Sequence, residues 1–437
     1  MTVKPAPPSD HPQRIELAHE VHARPYEAHE TPLRATYLAL VAPPEARAAE
    51  LVRVSELCAR FGAPGPAPDA SHFRAELGPC RIRWERHTEF SSYAVYTRGD
   101  DAPPFSTTAL AALPEGWAAS LPGKLVFAGH AELIRSGAAS PEPRDYSALF
   151  AGNDLVGSEV GDGAAAVLTD FRVHDDGFSR FVVLDRTLTR RRAGRVLQRL
   201  FEIESYRMMA LLALPAARGA IGVLAEQERQ LAEIISHIAE PRGADEPQLL
   251  KELTRLAAEV ENLIASNQSR FRAARAYHDI VRGRIADLRE RRITGLQTID
   301  EFMTRRLGPA METCESASRR ELELSERVAR ASSLLSTRVD IVREEQNRQL
   351  LESMDRRARL QLRLQETVEG LSIAAITYYL VGLVGYAAKG LKAAGWPLDA
   401  DLVMGVSIPI VALIAALGIR YVRRTIVRSQ GAGNSLP

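Results

Sequence analysis

The densest group of histidines lies near the start of the chain, where His19, Glu20 and His22 fall within four residues and His29 follows seven later. A metal needs two or three imidazoles converging with a carboxylate. His19 and His22 can meet at i, i+3 on a helix, but the run reads His-Glu-Val-His, not the His-Glu-x-x-His of a zinc protease. His22-Ala23-Arg24-Pro25 is expected to end that helix, because the residue before a proline avoids the α region. No metal and no cofactor are expected. A second polar group is Thr169-Asp170-Phe171-Arg172 with His174, Asp175 and Asp176. It has the donors for an ion or a nucleotide, yet Asp175-Asp176-Gly177 reads first as the acidic turn of a β-hairpin. Arg190, Arg191, Arg192 and Arg195 suit phosphate or anionic lipid, or a solvated first helical turn. GSEVGDG, residues 157–163, is glycine-rich but lacks the Lys-Ser/Thr of a phosphate loop and the spacing of a dinucleotide fingerprint. Nothing points to a Ser-His-Asp or Cys-His set, so no catalytic residues and no enzyme are expected.

Two kinds of sequence must position these groups. From Ile15 to about Leu212 the pattern is mixed α+β. Thr36–Ala42 and Lys124–Leu133 read as strands, and Pro44–Phe61 as a helix. Arg74–Trp84 and Phe90–Thr97 alternate and join as a hairpin, and Ala165–Val173 and Ser179–Asp185 flank the acidic turn. From Thr189 the period turns helical, and after Pro215 the chain is nearly all helix. Residues 310–368 contain no breaker and would make a helix roughly 90 Å long. Leu324, Val328, Ala331, Leu335, Val339 and Val342 step by three and four along it, a heptad-like coiled-coil seam. A helix so long and charged needs partners, and Val328, Leu335 and Val342 are the candidates for stalk self-association, hence a homo-oligomer.

The last seventy residues carry the strongest signal. Residues 368–388 (VEGLSIAAITYYLVGLVGYAA) and 402–422 (LVMGVSIPIVALIAALGIRYV) hold one charge each, Glu369 and Arg420. Each is long enough to cross a hydrocarbon core about 30 Å thick. Thirteen residues with a Gly-Trp-Pro turn separate them, so the expected element is a transmembrane hairpin in the lipid bilayer. Arginines flank its outer ends, Arg356, Arg357, Arg359 and Arg363 before and Arg420, Arg423, Arg424 and Arg428 after. The connecting loop has Lys389 and Lys392 offset by Asp399 and Asp401. The positive-inside rule then places both termini in the cytoplasm, in a cytoplasmic (inner) membrane. The expected organisation is a disordered stretch over 1–14, an α+β cytoplasmic domain over 15–212, and a helical stalk over 213–367. The hairpin over 368–422 and a basic tail over 423–437 complete it.

Composition agrees. The chain of 437 residues is 25% charged with a formal net charge of +1, which gives no sign of nucleic-acid binding. Its three cysteines, Cys58, Cys80 and Cys314, are scattered, which suits a reducing compartment and neither a zinc site nor a disulfide framework. MTVKPAPPSDHPQR has no apolar run, so no cleaved signal peptide is expected.

The segment 161–215, GDGAAAVLTDFRVHDDGFSRFVVLDRTLTRRRAGRVLQRLFEIESYRMMALLALP, together with HPQRIELAHEVHARPYE at 11–27, resembles a membrane-anchored bacterial family described only as a domain of unknown function. The resemblance implies a membrane location and no activity. The plan of an N-terminal α/β domain, a long helix, two spans and a short outer loop is also similar to the CorA-type magnesium channels. Their signature is an aromatic residue followed by Gly-Met-Asn at the outer end of the first span; here the matching place reads Gly385-Tyr386-Ala387-Ala388-Lys389. The aromatic is present and the triplet is not, which argues against magnesium conduction, and fold analogy carries no function. The expectation is a homo-oligomeric, membrane-anchored protein of CorA-like architecture, coupling a cytoplasmic sensing domain of unknown ligand to a helix bundle. In a pore, Ile373, Thr377, Leu380, Val384 and Tyr386 would line it. The alternative is a non-conducting membrane-anchored scaffold.

Overall fold

In a computed structural model of the chain, a mixed α/β unit is followed by long helices. The structure describes residues 10–20, 26–137, 142–239, 246–395, 397 and 399–431. The N-terminal elements run α1 (Arg14–Glu20), β1 (Leu33–Val41), α2 (Arg47–Arg60), β2 (His72–Glu76), β3 (Arg81–Arg86), β4 (Phe90–Arg98), β5 (Lys124–Arg135), α3 (Pro143–Tyr146), β6 (Val156–Val160), β7 (Ala165–Thr169) and β8 (Ser179–Asp185). Helices α4 (Arg190–Leu211), α5 (Leu214–Ala239) and α6 (Glu246–Leu288), strand β9 (Arg291–Arg292), α7 (Ile299–Arg306), α8 (Gly308–Ala393) and α9 (Ala400–Gly431) complete the chain.

Among the described residues, nine strands form one sheet in the order β2-β3-β4-β1-β5-β8-β7-β6-β9. Neighbours are antiparallel except β5 and β8, which run parallel and join two antiparallel halves. Both faces of β1 are buried, as its alternation requires. Tyr37 and Ala39 share a core with Phe201 and Leu200 of α4 and Phe271, Val281 and Ile285 of α6. Leu38 and Leu40 pack on the other face with Val54 and Leu57 of α2, Trp84 and Tyr93. Helix α4 starts where Thr189 caps it, the Thr189 hydroxyl accepting from the Arg192 amide. Thr298 and Glu301 close a reciprocal capping box at the start of α7.

Several elements differ from the sequence pattern. Arg74–Trp84 is two strands, not one, because Gly78-Pro79 turns the chain, with the Leu77 amide on the Cys80 carbonyl at 2.8 Å. The glycine-rich run at 157–163 begins inside β6. A Cβ on Gly157 would lie 2.7 Å from both the Val167 carbonyl oxygen and Leu168 Cδ2, so the close approach of β6 to β7 needs glycine. The compact division falls between Ser333 and Leu334, not near residue 212. Helices α5, α6 and α7 therefore belong with the sheet, since α6 completes the sheet's own core.

Along α8, Leu324, Val328, Ala331 and Leu335 are buried within the single chain, whereas Val342 is exposed. Of the three positions expected to drive self-association, Val328 and Leu335 are buried and only Val342 presents its side chain outward. In the second unit, residues 334–437, α8 and α9 approach each other where Gly385 meets Met404, and α9 carries Pro409 in its interior.

Candidate functional site

An open cleft of about 920 Å³ lies in the first unit, where the ends of β1, β4 and β5 come together. Ala28, Glu30 to Leu33, the β2–β3 turn, Tyr96 to Arg98, Asp100 to Ala102, Arg135 and Arg190 line it. The sheet order makes it: β1 lies between β4 and β5, so segments remote in sequence end side by side.

The wall is charged and balanced, with Arg81, Arg98, Arg135 and Arg190 against Glu30, Glu76, Asp100 and Asp101. Arg190 pairs with Glu30 at 2.5 Å and Arg81 with Glu76 at 3.7 Å. Arg81 also donates to His29 Nδ1 at 2.8 Å and lies over the Tyr96 ring, on which His29 packs at 4.4 Å between centroids. Burial and the Arg81 and Arg83 charges hold the His29 imidazole down at about 3, so it is a neutral acceptor at physiological pH. Among the described residues, Arg98, Arg135 and Asp101 of this wall form no ion pair, Arg135 donating instead to the Thr31 carbonyl, so positive and negative charge are both left available. Such a wall suits a polar ligand that itself bears both charges.

Beneath the cleft, Arg34 is buried in β1. Its guanidinium forks onto Asp100, with Nη1 3.1 Å from Oδ2, and its Nε lies 3.5 Å from Glu132. The Arg34 hydrogen bond lowers the Asp100 carboxyl. Glu132 accepts from the Phe105 amide at 3.0 Å, yet burial pushes its carboxyl up to about 7. Two residues along the same strand pair, Thr36 Oγ1 meets His130 Nδ1 at 2.8 Å, and burial lowers His130 to about 4. Cys80, at the cleft wall, is buried and its thiol is pushed up to about 11 by burial and Glu76, which leaves it protonated.

Apart from Arg190, which lines the cleft, and His29, which packs behind its wall against Arg81 and Tyr96, the groups singled out in the sequence lie elsewhere. His22 lies outside the described residues, as does the structure of the His19 and Glu20 side chains. Among the described residues no cluster of three or more metal-ligating side chains occurs. Asp170 and His174 meet at 3.0 Å, both side chains buried, with Asn153 Nδ2 donating to Asp170 at 2.8 Å. Asp176 caps the turn through the Phe178 amide at 2.9 Å and pairs with Arg180 at 3.2 Å. These bonds close the hairpin on itself. On α4, Glu204 pairs with Arg207 at 2.6 Å and Glu202 with Arg284. Arg192 and Arg195 enter a smaller cavity. Of the pore-lining set, Ile373, Thr377 and Val384 are half-buried, while Leu380 and Tyr386 are exposed. Helical spacing puts the first four on one face and Tyr386 on the opposite side.

The signals that mark the cleft were in two strands that otherwise read as core. Arg34 interrupts LRATYLALV and Glu132 interrupts KLVFAGHAELIR. The register sets them opposite each other, as it does Thr36 and His130.

Fold and site together define a class: a mixed α/β domain with a charged cleft, followed by helices apolar enough to cross a membrane. Among the described residues, three helical stretches meet that description by length and composition, Arg190–Ala239, Ile299–Ala393 and Asp401–Tyr421. The chain belongs to the family described as "Protein of unknown function (DUF3422)", which it matches over residues 9–426. Comparison with the curated proteins and with the solved structures finds no match.

Proposed function

We propose that this is a membrane-anchored, non-catalytic binding protein, held in the inner membrane by a C-terminal helical hairpin and presenting the cleft to ligands in the cytoplasm. The observation that carries the reading is the outer surface of the last two helices. Leu371, Tyr378, Tyr379, Leu383 and Tyr386 of α8 are exposed, as are Leu402, Val406, Ile410, Leu413, Ile414 and Leu417 of α9. None of the apolar window of Asp401–Tyr421 is buried inside the chain. An apolar face this continuous is covered by lipid or by other copies of the hairpin, not by water. The third apolar stretch is used differently: Met209, Ala210, Ala213 and Ala217 sit in the core of the sheet unit. That favours two spans over three.

The non-conducting form is preferred to a CorA-like channel. A selective cation path needs oxygen ligands at its mouth, and the first span ends in Ala387, Ala388 and Lys389. Tyr386 lies off the helical face that Ile373, Thr377, Leu380 and Val384 share, and three of those four are half-buried. Binding, not catalysis, is favoured at the cleft because His29 is an engaged neutral acceptor and Cys80 a protonated buried thiol.

Cysteine labelling tests the anchor. Cys58, Cys80 and Cys314 are buried, so background is low. In intact cells a membrane-impermeant thiol reagent should modify Ala393→Cys and spare Ser435→Cys. The reverse pattern overturns the topology, and release of the unmodified protein by alkaline carbonate overturns the anchor itself.

A further inference from the structure

A second cavity, of about 190 Å³, lies beside the start of α4, away from the charged cleft. Four arginines line it, Arg192, Arg195, Arg199 and Arg289, against two carboxylates, Asp162 and Asp287. Both carboxylates are already engaged. Arg199 donates to Asp287 Oδ2 at 3.1 Å and to its carbonyl at 2.9 Å, and Arg289 donates to Asp162 at 3.0 Å. Among the described residues, Arg192 and Arg195 have no side-chain partner. The lining therefore brings two uncompensated guanidinium groups to one cavity.

Helical spacing stacks Arg192, Arg195 and Arg199 on one face of α4, three and four residues apart. Like charges at that spacing repel and destabilise a helix. The first turns of a helix add positive potential of their own, so the local field favours an anion twice over. Two free guanidinium groups supply planar, multi-donor recognition of a tetrahedral oxyanion.

We propose that this cavity binds a phosphate group carrying two negative charges, either a soluble phosphate ester or the headgroup of a phosphomonoester lipid. Arg192 and Arg195 bind it, and Arg199 and Arg289, held by their carboxylates, shape the walls.

The test uses the full chain in phosphatidylcholine nanodiscs, titrated calorimetrically with inorganic phosphate at constant ionic strength. Saturable binding is expected. Arg192→Gln and Arg195→Gln should each weaken it about tenfold, the effect of losing one charge-assisted pair. Arg191→Gln removes the same charge from an exposed neighbour outside the cavity and should leave binding unchanged. Thermal melts of the three variants identify any that fail to fold. Discs containing phosphatidate separate the sources: loss of the phosphate titration there assigns the cavity to a lipid headgroup, and an unchanged titration assigns it to a soluble ester. Absence of saturable phosphate binding by the unmodified protein overturns the proposal. So does equal weakening by Arg191→Gln, which would reduce the effect to the general field of the arginines.

Discussion

Gly194 lies near the start of α4, a place where alanine would ordinarily be the better helix former. A Cβ there would collide with the Glu27 carbonyl oxygen, lie 2.9 Å from its carbon and 3.3 Å from His29 Cδ2. Carbon atoms in good contact sit about 3.5–4.0 Å apart, so Gly194→Ala forces the Tyr26–Glu30 backbone outward by about 1 Å or more. If the segment stays docked, the strain costs about 1–3 kcal/mol. If it lifts off, it loses the His29 amide bond to the Arg190 carbonyl at 3.0 Å and the Arg81 bond to His29 at 2.8 Å. Those contribute about 1 kcal/mol each, and the exposed Glu30–Arg190 pair adds little. Either route arrives at about 2 kcal/mol and disturbs one wall of the cleft. The expected result is a lower melting temperature of the full chain in detergent, with faster cleavage after Glu27 and Glu30 by a glutamate-specific protease. Gly283→Ala is the control: it lies inside α6 with nothing within 4 Å of its Cβ, so it should stabilise by about 0.5–1 kcal/mol. Gly194→Ala behaving like Gly283→Ala in both assays would refute the argument that this glycine exists to admit the 26–30 segment.

Glu132 gives the unit a pH dependence with a definite sign. Its folded carboxyl lies at about 7 against an ordinary 4.5, so the folded state retains a proton that the unfolded chain releases. Stability therefore falls as pH rises through that window, by up to about 3 kcal/mol. Glu132→Gln should flatten this contribution, raising the melting temperature relative to the unmodified protein at pH 8 but not at pH 4.5; parallel melting curves at all pH values would exclude it. Asn267 Nδ2 donates to Glu321 at 2.8 Å between α6 and α8, both side chains buried. Asn267→Leu leaves that carboxylate without its donor and should cost about 1–3 kcal/mol by denaturant titration. Adding Glu321→Leu should restore most of it, and a strictly additive double variant would show the bond to be unimportant.

What the sequence makes legible here is local. Period and apolar length locate α4, α6, α8 and α9 because each signal is carried by the local chain. The hairpins of β3–β4 and β7–β8 are visible for the same reason. The boundary at 333 was not, because it depends on Phe271, Val281 and Ile285 of α6 packing with the sheet, which no local pattern records. The cleft is the extreme case, since its walls come from five separate segments joined only by the position of β1 between β4 and β5.

One feature of the ladder links that geometry back to the residues. In the β1–β5 pair, Arg34 faces Glu132 and Thr36 faces His130, and alternation puts both pairs on the face that also carries Leu38 and Leu40. A two-residue slip would keep the same side chains on the same face, so apolar patterning alone does not forbid it. It would, however, set Arg34 against His130 or Ile134 and strand the Glu132 carboxyl, which is buried. A buried polar group that loses its partner costs about 1–3 kcal/mol, a noticeable share of a typical folding free energy. The polar pairs thus select among registers that the hydrophobic pattern leaves equivalent, and the selected register brings Asp100, Arg34 and Glu132 together at the floor of the cleft. Fold and site are specified by the same side chains.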